Sequence, residues 1–200
     1  MEKLYFKKMV EDYNSIRFFS EEAYQLVFQK LIFRKLPKNA ILKRKDEPDD
    51  RSRYICEGLV GLFDETSGRN KLVFLFGPTD TVFDEEGFRT QKSTSNSIRT
   101  ITETVLFEFS IEAEKALLAQ NPQFGLLALE VAHRITRRTF EQVEIKLQGF
   151  GKGYPNLLSK FPGLAEGLKN KELADYFLTS TRTVERQKKA ALEHKLRNAT

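Results

Sequence analysis

The stretch from Phe124 to Ala132, Phe-Gly-Leu-Leu-Ala-Leu-Glu-Val-Ala, constrains this chain more than any other. A long helix is expected from about Gln123 to Lys146, within a segment of roughly 123–148, and its first half is apolar almost all round. Phe124, Leu127, Val131, Ile135 and Val143, continued by Leu147, fall near one stripe, and Leu126, Leu129 and Phe140 widen it. Such a helix must be covered on two sides. One cover can be the chain's own barrel, and the other is most economically a second copy of the same helix. The second half, with Arg134, Arg137, Arg138, Glu141, Glu144 and Lys146, carries the alternating charges of a coiled-coil flank. A homodimer packed through Phe124, Leu127, Val131, Ile135 and Val143 is therefore expected. The alternative is a helix buried wholly within one chain.

On either side of this helix the texture of the sequence changes. Residues 1 to about 30 read as helix, with Ser20 before Glu21 and Glu22 as a capping signal. From about Leu31 to Ser110 short apolar runs alternate with turns. The runs 31–36, 40–42, 54–63, 71–76, 97–102 and 104–109 are expected strands. The segment 64–70, with Gly68, should close a hairpin. Residues 97–102 alternate strictly and should be half buried. Strands at this spacing fit a small barrel or jelly roll, whose closure removes exposed edges. Glu112–Gln120 is a short helix ended by Pro122, and Gly149-Phe150-Gly151-Lys152-Gly153 reads as a glycine-rich hinge. The expected fold class is α+β, with domains at 1–148 and 149–200.

Composition narrows the chemistry. The chain has 200 residues, 40% hydrophobic and 30% charged, enough for a real core without disulfides or metals. Its net charge of +5 favours an anionic partner. With one cysteine, Cys56, it cannot form an internal disulfide or a cysteine-ligated cluster within one chain. No run approaches the roughly twenty apolar residues of a membrane helix, and the start lacks a signal-peptide core. A reducing cytoplasm, no membrane, no metal and no cofactor are expected. Asp80, Asp84, Glu85 and Glu86 read as a solvated loop rather than a metal site. His133 reads as a partly exposed helix residue. No phosphate-binding glycine loop, serine elbow or His–acid pairing is present, so no enzyme is expected.

The last thirty residues point to a nucleic acid. Residues 170–177 read as a short helix, Leu178-Thr179-Ser180 as a turn, and Thr181 onward as a second helix. Two helices so joined, with Ala174 small inside the first, form the helix-turn-helix that presents its second helix to the DNA major groove. Six Lys or Arg against two Glu between Thr181 and Arg197 supply the charge that phosphate contact needs. Thr183 and Arg186 are candidates for base edges, Ser180, Thr181, Lys188 and Lys189 for phosphates, and Arg182 and Glu185 share the exposed faces. The turn normally carries Gly where one residue takes positive φ; here Leu178 stands in that place. Leu178, Thr179 and Gln187 favour an alternative, an effector-binding or protein-interaction dimer whose helix-turn-helix no longer binds DNA.

Helix, strand barrel, long helix and terminal helix-turn-helix is an order that resembles the Crp/Fnr family of bacterial regulators. Residues 18–22 look like its opening helix. Leu36-Pro37-Lys38-Asn39-Ala40-Ile41-Leu42 resembles the Lys-Lys-Gly-Glu-x-Leu turn of the cyclic-nucleotide-binding barrel, with Asn39 for Gly. Residues 54–60 match the strand with its fixed Gly58, and Phe76-Gly77-Pro78-Thr79-Asp80 resembles the Gly-Pro-Gly-Asp turn, with Thr79 for the second Gly. Residues 157–164, 172–177 and 183–186 resemble the linker and recognition unit of the short, wingless branch common in Bacteroidetes. The resemblance implies a dimeric transcription regulator that binds DNA, with RNA polymerase and an unidentified small effector as further contacts. It also implies a departure. Family members hold cyclic AMP with a Gly-Glu-Leu turn and an Arg before the last strands. Here Phe83 and Asp84 stand where Gly and Glu should be, and residues 93–97 hold no Arg. The barrel is expected not to bind cyclic AMP in the usual way, leaving a pocket made apolar by Phe74, Phe76, Phe83 and Phe88.

Overall fold

The computed structural model describes residues 1–197. Two short helices, α1 (Glu2–Ile16) and α2 (Glu21–Phe28), open the chain. The single helix expected there is broken after Ile16, where Arg17 turns extended, and it restarts at Ser20, whose hydroxyl accepts from the Ala23 amide. Eight strands follow: β1 (Ile32–Leu36), β2 (Ile41–Lys43), β3 (Arg51–Glu57), β4 (Val60–Asp64), β5 (Lys71–Phe76), β6 (Thr81–Val82), then a helical turn α3 (Glu85–Thr90), β7 (Asn96–Thr100) and β8 (Thr104–Ser110). They form two four-stranded antiparallel sheets, ordered β1-β8-β3-β6 and β2-β7-β4-β5.

The run expected as one strand over 54–63 is two strands broken at Gly58, whose φ of +87 is accessible mainly to glycine. A Cβ at Gly58 would also strike the Glu103 carbonyl and the Thr104 side chain. The β4–β5 hairpin forms as expected. Ile55, Val60, Val82 and Ile98, all 0% exposed, fill the space between the sheets.

After the strands come α4 (Ile111–Gln120), α5 (Phe124–Leu147), α6 (Gly149–Lys160), α7 (Leu164–Gly167), α8 (Asn170–Tyr176) and α9 (Thr181–Arg197). The glycine-rich run is no hinge. Gly149, at φ +70, makes one sharp break, and helix resumes at once. Gly153 lets α6 pass so close to α5 and α8 that a Cβ there would stand 2.7 Å from the Phe177 ring. Gly149 serves the backbone turn, and Gly151 and Gly153 serve close contact.

The core shows why. Leu59, Phe63, Leu72, Leu75 and Ile101 of the barrel share one apolar cluster with Ile145 of α5, Phe150, Leu157 and Phe161 of α6 and its end, and Leu173, Ala174, Tyr176, Phe177 and Val184 of α8 and α9. Through α6, α8 and Val184 of α9, the segment after Gln148 is packed against the outer face of the β2-β7-β4-β5 sheet, so this apolar cluster crosses the expected boundary at 148. This also explains β7: Ser97, Ile98 and Thr100 are all buried, because that sheet is covered on both faces rather than one.

Candidate nucleic-acid interface and effector cavities

α8, a tight turn and α9 form the unit at the C-terminal end. Glu172 sets α8 in place twice. Its carboxylate accepts from the Lys169 amide at 2.9 Å, capping the helix, and from Arg99 of β7 at 2.8 Å. The Arg99 guanidinium also lies 3.9 Å from the centre of the Phe63 ring. Gln142 of α5 then acts as a strand neighbour. It accepts from the Leu75 amide at 3.0 Å, donates to the Leu75 carbonyl at 2.7 Å, and accepts from the Tyr176 hydroxyl at 3.2 Å. Lys146 bonds the Val73 carbonyl and lies over the Phe74 and Tyr176 rings. Burial pulls its pKa down to about 8.

The turn takes the shape that its spacing requires. Leu178 adopts φ +52 with its side chain 88% exposed, and the Thr179 amide donates to the Ala174 carbonyl at 2.9 Å. Ser180 then caps α9, accepting from the Thr183 amide at 3.1 Å, while the Ser180 and Thr183 hydroxyls pair at 2.9 Å. Val184, 0% exposed, seats α9 on the core. Thr181, Arg182, Glu185, Arg186 and Lys189 therefore lie together on the solvent face. Ser180 joins them as the cap, and Thr183 is half-buried beside it. Lys188 does not join them. Its ammonium donates to Asn170 at 2.8 Å and sits over the Tyr154 ring, where burial lowers its pKa. Gln187 also turns inward, toward Gly151.

α5 divides its apolar residues between two faces, and the division differs from the expected one. Phe124 and Leu127 are buried against Phe19, Tyr24 and Leu117 of the same chain, and Val131 packs beside them. The Phe19 and Phe124 rings stack at 5.1 Å. Ile135 is half-buried and lines the open groove beside α3 described below. Only Val143 of the expected dimer set is on the open face, which runs Leu126, Leu129, His133, Thr136, Phe140, Val143, Leu147. These positions alternate by three and four residues, the a/d spacing of a coiled-coil seam. Phe140 is 66% exposed and Leu147 82%. Most of the stripe that looked central is the chain's own core, and the residues that seemed only to widen it, Leu126, Leu129 and Phe140, lie on the open face.

The barrel end near α3 holds the second region. An open groove is lined by Leu62, Phe74, Phe76, Phe83, Asp84, Glu85, Glu86, Arg89, Asn96, Ile135 and Thr139. Phe74, Phe76 and Phe83 lie here as expected, but Phe88, 1% exposed, points to a separate cavity that Phe83 also borders. The groove floor is an internal ion network. The Asp84 carboxylate stands 3.1 Å from the buried Lys43 ammonium, takes the Asn96 side-chain amide at 2.9 Å, and accepts from the Thr94 hydroxyl. Burial pushes the Asp84 pKa up, but the bonds from Thr94, Asn96 and Lys43 outweigh it and hold the carboxyl below its usual range. Beside it, Asp49 grips Arg53 with both oxygens at 2.9 and 3.0 Å and accepts from the Asp84 amide at 2.8 Å.

Lys43, Asp49 and Arg53 were not singled out in the sequence. The signal was there in Arg53, at an apolar-facing position of a strand, and it implied a buried partner. Asp80, read as solvated, instead pairs with Arg138 of α5 and accepts from the Gly77 amide at 2.8 Å, pinning the β5–β6 turn. Among the described residues no cluster of His, Cys, Asp or Glu is arranged to hold a metal ion, and no helix is long and apolar enough to cross a membrane. Cys56 is a half-buried free thiol whose pKa burial pushes up to about 12, and His133 is exposed.

Residues 33–121 match the cyclic nucleotide-binding domain family. No curated protein matches the chain. Solved structures with the same fold include the c-di-GMP responsive global regulator CLP of Xanthomonas campestris, with TM-score 0.64, 16% identity, and 88% of this chain and 94% of that one covered. The Thermus thermophilus Catabolite Activator Protein is similar at TM-score 0.52 and 23% identity, over 90% of this chain and 87% of the other. FixK2 of Bradyrhizobium japonicum is similar at TM-score 0.63 and 12% identity, over 82% and 86%. The mixed α+β architecture, two sheets followed by C-terminal helices, is the one these structures share.

Proposed function

From a cyclic nucleotide-binding domain over residues 33–121 that runs on into a long helix and a terminal helical pair, we propose that this chain is a dimeric, sequence-specific DNA-binding transcription regulator. It acts by binding, not as an enzyme, in the cytoplasm. The observation that carries this is the free face of α9. Arg182, Arg186 and Lys189 stand out from a helix whose opposite side, through Val184, is fixed in the core. That is the geometry of a helix-turn-helix that enters a major groove. Arg186 has the fork that pairs with guanine, and Lys189 and the α9 N-terminus with Ser180 and Thr181 meet phosphates. Two such faces are brought together when two copies meet along Leu126, Leu129, Phe140, Val143 and Leu147. RNA polymerase is the downstream partner that this role implies.

The barrel works without cyclic AMP. Lys43 beneath the groove floor is already neutralised by Asp84, Arg89 on the lining is paired with Glu114, and Glu85 and Glu86 line the groove as well. A phosphate there would meet carboxylates where it needs donors. The reading in which the helical pair has lost DNA competence rested on Leu178, Thr179 and Gln187. With Leu178 in the left-handed conformation, the Thr179 amide bonded to the Ala174 carbonyl and Gln187 turned toward Gly151, that motive is weakened.

One titration tests the reading. Fluorescence anisotropy with duplexes selected from a genomic library should give affinity that falls steeply with salt. Arg186→Ala should relax sequence preference and cost about 1–3 kcal/mol on the selected site. Lys189→Ala should weaken all duplexes alike and flatten the salt slope by about one. Cyclic AMP should leave every curve unchanged. Salt-independent binding, or no selected duplex at all, would return the chain to the protein-interaction reading.

A further inference from the structure

The open groove beside α3 holds about 500 Å³ of space between the second sheet, α3 and α5. Leu62 of β4, Phe74 and Phe76 of β5 and Ile135 of α5 give it an apolar wall. All four are half-buried, so each keeps surface that an occupant can cover. The α3 end is different in kind. There Phe83, also half-buried, joins the lining with Glu85 and Glu86, both of which are exposed.

The other charges on the lining are already paired. Asp84 stands 3.1 Å from the Lys43 ammonium, and Arg89 pairs with Glu114 at 3.2 Å. Lys146 lies outside the lining, bonded to the Val73 carbonyl. Among the described residues Glu85 and Glu86 have no ion-pair partner, so the groove keeps two negative charges at one end of an apolar wall. An apolar body seated on that wall strips water from the carboxylates beside it. A neutral occupant leaves them unmet, an anion adds repulsion, and an ammonium answers them. The rings favour the same sign, because an aromatic face attracts cations. Two of them already do so within the chain: Arg89 lies 5.6 Å from the centre of Phe83, and Lys146 lies 4.2 Å from that of Phe74.

We propose that this groove binds an organic cation, an ammonium carried on a small apolar body, with Glu85 and Glu86 facing the ammonium and Leu62, Phe74, Phe76 and Ile135 holding the body. The assignment extends the reading of a barrel that works without cyclic AMP, and it does not depend on DNA binding. Ile135 and Thr139 of the lining belong to α5, so an occupant bears directly on the long helix.

Calorimetric titration of the full chain with three probes of one shape, phenethylamine, phenethyl alcohol and hydrocinnamate, tests it. The amine should bind with a Kd below about 1 mM, within what so few atoms allow. The alcohol should bind about tenfold more weakly, and hydrocinnamate more weakly still. Added salt should weaken the amine and leave the alcohol unchanged. Glu85→Gln with Glu86→Gln should bring the amine down to the level of the alcohol. Glu85→Lys with Glu86→Lys should put hydrocinnamate ahead of the amine. Both positions are exposed, so neither pair of changes should unfold the chain. Equal affinity for amine and alcohol, or an amine untouched by the Gln pair, would overturn the assignment. Cyclic AMP, titrated separately, should give no heat. Heat from it beside a silent amine would overturn both this site and the reading it extends, whereas silence from both probes overturns the site alone.

Discussion

Of the residues that stand where glycine is expected, Asn39, Thr79 and Leu178 keep a left-handed backbone, whereas Phe83 does not. Asn39 has φ +65, Thr79 has φ +69 and Leu178 has φ +52. The fold retained the turns and changed the side chains. Asn tolerates this conformation through its short polar side chain; Thr and Leu are strained there. Thr79 has a return, because its hydroxyl accepts from Arg138 at 2.9 Å. Leu178 has none, since its side chain is in solvent. The left-handed region costs an L-residue about 1–2 kcal/mol, and glycine gives back about 0.5–1 kcal/mol through its freer unfolded state. Leu178→Gly should therefore stabilise the protein by roughly 0.5–1 kcal/mol. Urea denaturation would show the midpoint rising at unchanged slope, and a fall would mean that the strain is relieved elsewhere. The turn was legible from spacing alone. The Asp49–Arg53 and Lys43–Asp84 pairs were not, because a charged residue in a loop looks the same in sequence whether it faces water or a buried partner.

At the scale of one helix, α5 shows the limit of reading apolar periodicity. The sequence says that the helix has two apolar faces; it does not say which belongs to its own chain. That choice is made by residues far away, Phe19 and Tyr24 of the N-terminal segment and Leu117 of α4, which claim Phe124 and Leu127. The face left over is the one open to the proposed second copy. The two faces should respond oppositely. Phe140→Glu should give monomers in sedimentation equilibrium with the melting of the isolated fold little changed. Phe124→Ala should cost about 3–5 kcal/mol of stability through its cavity without altering self-association at concentrations where the fold persists. A Phe140→Glu variant that still sediments as a dimer would move the seam elsewhere. The same ambiguity affected the glycines of 149–153, since glycine serves equally for bending and for close approach, and only the crowding around Gly153 distinguishes the two.

Across the whole molecule, the order of elements could be read from the sequence, but the way the C-terminal helices sit could not. β7 of the second sheet alternates as though one face met water, yet that face of the sheet, with Phe63, Leu72 and Leu75, lies under α8 and its neighbours. Because that cluster spans the nominal boundary, the chain should melt as one cooperative unit, with calorimetric and van't Hoff enthalpies equal. Ending the chain at Gln148 should uncover the sheet and yield an aggregating fragment. Two separated heat-absorption peaks would show instead that the C-terminal helices fold independently.

The docking of α8 through Gln142, Arg99 and the apolar cluster has a mechanical corollary. α9 behaves as the fixed jaw of a caliper. Its angle to the barrel cannot swing unless the Glu172–Arg99 pair and the Gln142 clamp on Leu75 come undone. In the proposed dimer the span between the two jaws is then set by where the long rods cross. A stimulus that retuned the proposed target choice would have to slide or tilt those rods rather than stretch a flexible neck.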